Sequence, residues 1–363
     1  MPASEPRESA ARPLSLPDVW TYFANVECGG YSPLYHRIAL AVAASDDVLE
    51  LVAEAPPTGH QPNVLLGAVH YLVLGGLDHP LASVYAGDSD ADPGPLFVDL
   101  CLAHRREIVE LLSTRHTNTN EVGRAAVIGP ALTTAAARLG APIGLVDVGC
   151  SAGLNLFCDN YRLDYGTAGS TGPADAPVRI SCEVLGGNLP VATMLPPIAA
   201  RVGLDRAPVD VRDEDAARWL LACVWPDTGR RTRTRRALAE ARRHPPRLIA
   251  GDAVDSVAEV ILGLPADVVP VVTTTWVLAY LPAPLRVAFR KVLAAASTTR
   301  PIAWISAEGP GVVDLFADVG ACSDAQGTEA SVLGIAVFDD GAVESEFLAF
   351  VHPHGNWIDW RAD

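Results

Sequence analysis

The 363-residue chain carries 27 Lys and Arg against 43 Asp and Glu, a net charge of −16, and 49% of it is hydrophobic. That balance argues against a nucleic-acid partner, which needs clustered cations, and it supplies a core large enough for one big domain or two ordinary ones. No apolar N-terminal stretch has the shape of a signal peptide, and no uncharged run approaches the roughly 18–20 residues that span a bilayer. The expectation is a soluble, cytoplasmic protein that acts on a small molecule, with no membrane partner and an oligomeric state the sequence leaves open.

Residues 1–16 are polar and proline-bearing and read as a loose tail. From residue 17 to about 139 the pattern predicts helices, over 17–23, 32–42, 63–74 and 96–112 and again before 139, grouped as an N-terminal helical cap domain. His70 sits inside an almost wholly apolar helix, where a hydrogen-bonded core histidine and a catalytic one are both open readings. The stretch Thr117-Asn-Thr-Asn-Glu-Val-Gly-Arg124 is dense in hydrogen-bonding side chains. One residue suffices to cap the helix that follows, so Asn120, Glu121 and Arg124 are read as candidates to face a ligand.

From 143 onward the pattern changes. Strand signals at 143–148, 201–205, 247–251, 268–274 and 302–307 alternate with helical stretches at 153–160, 213–224, 232–243, 253–263 and 283–297. That alternation predicts an α/β fold with a doubly wound, mostly parallel sheet over 140–363. Residues 158–198, rich in Gly and Pro, read as an insertion. An Asp-Gly turn between two strand signals, 331–338 and 343–350, predicts a terminal antiparallel hairpin. The basic run at 230–243 reads as a solvated helix face. Seven scattered cysteines without a C-x-x-C pair give no zinc signature, and no metal is expected.

The chemistry is expected at Val146-Asp-Val-Gly-Cys-Ser-Ala-Gly153. An apolar strand ends in Asp147 and is followed by small residues and an amphipathic stretch, the order of strand, tight turn and helix start. Small side chains admit a ligand close to the backbone, and a helix N-terminus offers free N–H groups.

Over roughly 140–351 the chain resembles the class I S-adenosylmethionine (SAM) dependent methyltransferases, a Rossmann-like type. The resemblance implies SAM as cofactor, with Asp147, Gly149, Ser151, Gly153 and Asn155 at the turn under its methionine part; Ser151 stands where the family usually keeps a second glycine. It implies an acid for the ribose hydroxyls, for which Asp205 and Asp164 compete. Asp205 is preferred because it ends a short apolar strand, and a carboxylate can accept from two vicinal hydroxyls. Asp252 and Ala253 would meet the adenine. Thr274 and Thr275 would border the transferred methyl, although Pro270 falls where many members keep an acid. Trp276 and Tyr280 are candidate substrate contacts or core aromatics, and Tyr35 is a further substrate candidate. A methyl acceptor that is an oxygen nucleophile needs a base, and His70, Glu121 and His352 are the candidates. A narrower resemblance, carried by Glu27-Cys-Gly-Gly-Tyr-Ser-Pro-Leu-Tyr35, Gln61-Pro-Asn63, residues 119–124 and Trp225-Pro-Asp227, is to an uncharacterised actinobacterial family, a domain of unknown function.

Two rival readings stand beside methyl transfer. Gly149-Cys-Ser-Ala-Gly153 also satisfies G-x-S-x-G, the nucleophile elbow of α/β-hydrolases, which would make Ser151 an esterase nucleophile served by His352 or His354 and by Asp252 or Glu308. Helices rather than strands before the elbow count against it. A non-catalytic ligand-binding protein is the third class, because a fold alone does not confer chemistry.

Overall fold

The computed structural model describes residues 14–140, 142–320, 322–323 and 329–362, so most of the predicted N-terminal tail lies outside the described residues. The chain divides into two compact units. One comprises the residues up to Thr117 together with Ala222–Thr228, and the other comprises Asn118–Leu221 and the residues from Gly229 onward.

The first unit is built from α1 (Leu16–Tyr22), α2 (Pro33–Ala43), α3 (Asp46–Ala53), α4 (Pro62–Leu74), α5 (Leu81–Ala86), α6 (Pro93–Ala103) and α7 (Arg105–Thr114). Its helix starts follow from local chemistry. Ser15 and Asp18 form a capping box on α1, and Ser32 and Ser45 accept the backbone N–H of Tyr35 and Val48. The short α3 and α5 fall where no helix was expected. The late segment Ala222–Thr228 completes this unit: the Trp225 ring sits 5.3 Å from Tyr35 and 5.8 Å from Phe23, and Asp227 accepts the Ser32 hydroxyl at 2.7 Å and the Leu34 amide at 3.0 Å.

The second unit is a mixed α/β structure. Its strands are β1 (Ile143–Val148), β2 (Arg162–Asp164), β3 (Ser170–Thr171), β4 (Arg179–Ser181), β5 (Glu183–Gly186), β6 (Ile198–Asp205), β7 (Arg247–Ala250), β8 (Val269–Thr275), β9 (Ile302–Glu308), β10 (Ser331–Asp339), β11 (Ala342–Val351) and β12 (Trp357–Trp360). Among the described residues they form a nine-stranded, mostly parallel sheet in the order β5-β12-β11-β10-β9-β8-β1-β6-β7 and a small sheet β3-β2-β4. The run from β7 to β9 is parallel throughout, and β10 and β11 pair antiparallel through a turn at Asp340 and Gly341, both at positive φ. Asp-Gly delivers that conformation.

Period-two alternation decides the two faces. Ile143 and Leu145 of β1 join a core with α8 (Ala125–Leu139), α9 (Glu214–Ala222) and α10 (Arg230–Arg243). Val146 and Val148 join the other core, with α11 (Ala253–Leu262) and α12 (Ala283–Ala296). One expected helix is absent. Residues 154–160 form 3₁₀ turns with a kink at Phe157, because Gly153 enters them in the left-handed region (φ 68°) and the Leu154 amide is tied to the Asn120 side chain. Strands β5 and β12, which extend the sheet beyond the hairpin, had no clear sequence signal.

Candidate functional site

Strand order reverses at β1, whose neighbours are β6 on one side and β8 on the other. In open α/β sheets ligands bind at such a switch point, beyond the C-terminal strand ends. A cavity of about 190 Å³ lies there. Val148 and Gly149 contribute from the end of β1, Leu204, Asp205 and Arg206 from β6, Gly251, Asp252 and Ala253 from β7 and α11, and Val277, Tyr280 and Leu281 from the segment after β8.

Its acids are held by backbone donors. Asp205 accepts the Ser151 amide at 2.8 Å on one oxygen and the Ala207 amide at 2.9 Å on the other. Asp252 caps α11 through the Val254 amide at 2.9 Å and pairs with Arg206 at 2.8 Å, and that amide and that arginine hold its carboxyl below the usual range. Tyr280 is 83% exposed on the cavity rim. Asp164, the competing ribose acid, sits at the end of β2 in the small sheet, where it accepts the Gly166 amide.

The small-residue turn works differently from expectation. Most of its N–H groups are already used: Gly149 donates to Leu204 O (2.8 Å), Ser151 to Asp205, Gly153 to Cys150 O (2.8 Å) and Leu154 to Asn120 Oδ1 (3.0 Å). Nor does ligand approach explain its glycines. A Cβ on Gly149 would meet the Val277 side chain at 2.5 Å, and one on Gly153 would meet Leu156 and Leu248 at 3.0 Å. Protein packing requires them.

The polar stretch 117–124 supports this turn. Asn118 accepts the Ser151 hydroxyl at 2.5 Å, Asn120 accepts the Leu154 amide, and the Glu121 carbonyl accepts the Asn155 side chain at 3.3 Å. The Glu121 carboxylate is buried against Arg230 (2.5 Å), Arg233 (2.8 Å) and His354 (3.4 Å), and it accepts the Gly123 amide at 2.8 Å. Burial alone would raise its pKa, but the two guanidiniums and the contact with His354 outweigh the penalty and hold it well below the usual carboxylate range. Arg124 is spent on two carbonyls, Thr275 O at 2.8 Å and Pro353 O at 3.0 Å.

Asp147 is buried and accepts the Thr273 hydroxyl at 2.8 Å. Desolvation pushes its pKa up to about 7, against the pull of Thr273 and Arg124. Thr274 receives the Trp304 indole N–H at 2.9 Å. Trp276 stands at φ 56° and donates its indole N–H to Ser331 at 2.7 Å. His352 accepts the His354 amide on Nδ1 at 3.0 Å and packs on Trp357. His70 and Tyr35 are buried in the first unit: His70 Nδ1 lies 3.0 Å from Ala222 O, so that nitrogen carries the proton, and Tyr35 lies under Trp225.

Thus Gly149, Asp205, Asp252, Ala253 and Tyr280 converge on the cavity, and Asn120, Ser151 and Asn155 form its supporting layer. Arg206, Val277 and Leu281 also line it and were not singled out from the sequence. Glu308 entered only as a hydrolase acid; here it ends β9 as Asp205 ends β6, and it accepts the amides of Val277 and Leu278 at 3.0 and 3.1 Å. Among the described residues no cluster of His, Cys, Asp and Glu is arranged to hold a metal, and no helix is long and apolar enough to cross a membrane.

Fold and site define a mixed α/β protein with a cavity at the switch point of its sheet. The sequence matches, over residues 18–360, the family described as uncharacterised proteins conserved in bacteria (DUF2332), and the chain belongs to that family. No curated protein and no solved structure matches it.

Proposed function

We propose that the cavity binds the adenosyl part of S-adenosylmethionine and that the protein transfers its methyl group to a small-molecule acceptor. The observation that carries this reading is Asp205. Its carboxylate stands on the cavity wall at the end of the strand next to β1, fixed by two amides, with lone pairs left for two vicinal hydroxyls.

The donor set suits SAM better than a phosphorylated nucleotide. A pyrophosphate needs free N–H groups at the turn, and those of Gly149, Ser151, Gly153 and Leu154 are occupied. Asp205 and Asp252 outnumber Arg206 on the wall, which favours a cationic ligand over an anionic one. At about 190 Å³ the cavity is smaller than the roughly 300–1,000 Å³ of a whole ligand site, as befits a pocket for one part of a larger ligand.

Asp205 would take the ribose, and Asp252 with the Ala253 backbone the adenine. The segment from Thr274 to Tyr280 would face the methyl and its acceptor. When bound, SAM supplies an electrophilic methyl on a sulfonium. The protein's part is to hold the acceptor in line and exclude water, which accounts for most of the acceleration available to such a reaction.

Calorimetry with SAM and S-adenosylhomocysteine tests this, with NAD and ATP as phosphorylated controls. Binding of the adenosyl pair that is lost in Asp205→Ala is expected. Absence of binding to the wild type, or affinity unaffected by Asp205→Ala, rejects the reading.

A further inference from the structure

We infer that Glu308 is a positioning residue for the cavity: its buried carboxylate fills an amide nest made by the left-handed turn at Trp276 and so fixes the wall formed by Val277, Tyr280 and Leu281. This rests on the reading that the cavity is the ligand site.

Strand β8 ends at Thr275, and the next residue takes φ 56°, a conformation few side chains adopt. Trp276 is held there from both ends, its amide on Ala307 O at 3.1 Å and its indole on Ser331 at 2.7 Å. The reversal aims three consecutive N–H groups at one point, the geometry that elsewhere binds anions. Here the anion belongs to the chain. Glu308 Oε1 accepts Val277 and Leu278 at 3.0 and 3.1 Å, and Oε2 accepts Ala279 at 3.4 Å. The residue is 1% exposed, so its charge is tolerable only with such donors.

The far end of the same segment is clamped by the opposite charge. Arg286 donates to Leu281 O at 2.8 Å and to Ala279 O at 3.3 Å. Val277 packs against Gly149, where a Cβ would lie 2.5 Å away, so a shift of this wall reaches the turn after β1. Val277, Tyr280 and Leu281 supply the β8 side of the cavity. A carboxylate with no ligand contact of its own therefore sets the shape of the ligand site.

The test uses the full-length chain and two variants. Glu308→Gln keeps an Oε1 acceptor for Val277 and Leu278, whereas Glu308→Ala removes a methylene and a carboxylate, the equivalent of acetate. Hydrogen exchange should quicken at 277–281 in Glu308→Ala and slow again on adding acetate, and Glu308→Gln should stay protected. S-adenosylhomocysteine affinity should fall about tenfold or more in Glu308→Ala, recover with acetate, and change little in Glu308→Gln. Unaltered exchange in Glu308→Ala, or faster exchange with unaltered affinity, overturns the assignment. If Glu308→Ala unfolds throughout, Glu308→Met, which fills similar space without an acceptor, takes its place: faster exchange confined to 277–281 in an otherwise folded variant supports the assignment, and unaltered exchange there overturns it. Failure of the wild type to bind any adenosyl compound counts against the proposed function, while acetate-reversible protection still reports whether Glu308 sets the wall.

Discussion

Asp205 accepts the backbone amide of Ser151 at 2.8 Å, and this bond ties the end of β6 to the turn after β1 at the point where strand order reverses. The carboxylate thus has two tasks, holding the turn and facing the cavity, and they are separable. Asp205→Asn keeps one carbonyl oxygen for an amide but loses one acceptor for a vicinal diol. One of the two amides is left facing the new NH2 group, so the variant's melting temperature should fall, though less than that of Asp205→Ala, while affinity for S-adenosylhomocysteine falls about tenfold or more. Asp205→Ala should lose affinity and also about 1–3 kcal/mol of stability, from the amides left unpaired. Calorimetry and thermal unfolding on the two variants measure this, and wild-type affinity in Asp205→Asn would contradict it.

Gly149 and Val277 make the second linkage across the site. A methyl on Gly149 (φ 75°) would strike Val277 at 2.5 Å, and positive φ adds strain of its own. Gly149→Ala should cost about 1–3 kcal/mol and weaken ligand binding. Adding Val277→Ala makes room for the methyl without relieving the backbone, so the double variant should recover part of the loss. A double-mutant cycle read by urea unfolding tests the coupling. Strictly additive effects would show that the clash is not what requires the glycine.

The central strands were legible because each is a buried apolar run closed by a polar residue or a glycine. β1 and β9 are buried on both faces, which leaves little freedom there, and together with the part-exposed edge strand β7 they fall within a residue or two of expectation. The 3₁₀ run at 154–160 was not legible, since its apolar spacing matches a helix and the Asn120 side chain that ends the amide ladder lies 34 residues away in sequence. Long-range bonds hid the site in the same way. The polar stretch before α8 was visible as a cluster, but nothing local tells whether Asn118 and Asn120 face a ligand or the turn at Ser151. Glu308 ends its strand as Asp205 does and as Asp147 nearly does, and the pattern of acids at strand ends was the signal available for it.

Glu121 offers a test of structural against chemical roles. Its carboxylate is 1% exposed and shared by Arg230 and Arg233 at 2.5 and 2.8 Å. Removing one member of a buried ion pair strands the others, at about 3–5 kcal/mol. Glu121→Ala should therefore melt well below wild type. Glu121→Gln should lose less, because it still accepts the Gly123 amide. Once a methyl acceptor is in hand, a Glu121→Gln variant with normal stability and no turnover would restore the residue to a catalytic role.

Asp147 makes stability depend on pH in a defined direction. Burial raises its folded pKa to about 7 from 3.8, with Asp205 adding to the rise and Thr273 and Arg124 opposing it. Between these values the native chain keeps a proton that the unfolded chain releases. The contribution is complete below about pH 4, fades as pH rises, and is gone above about pH 7, where the buried charge costs on the order of 4 kcal/mol. Asp147→Asn cannot ionise and keeps an acceptor for Thr273. It should match wild type near pH 4.5 and melt higher at pH 8. Thermal unfolding of both across that range is the measurement, and parallel curves would show that Asp147 is ionised throughout.

Ser151 separates the methyltransferase reading from the hydrolase one. Its φ of 53° is the strained backbone of a nucleophile elbow, but its hydroxyl is given to Asn118 at 2.5 Å and its amide to Asp205. If the turn is a cradle, glycine belongs at this position. Ser151→Gly relieves the left-handed strain and loses one hydrogen bond, terms that offset to within about 1 kcal/mol. Ser151→Ala loses the bond and keeps the strain, so it should be the less stable of the two. Both should keep S-adenosylhomocysteine binding, and a fluorophosphonate probe should leave the wild type unlabelled. Stoichiometric labelling that disappears in Ser151→Gly would instead make the turn a nucleophile elbow, with Asn118 as a resting partner that the hydroxyl leaves on activation.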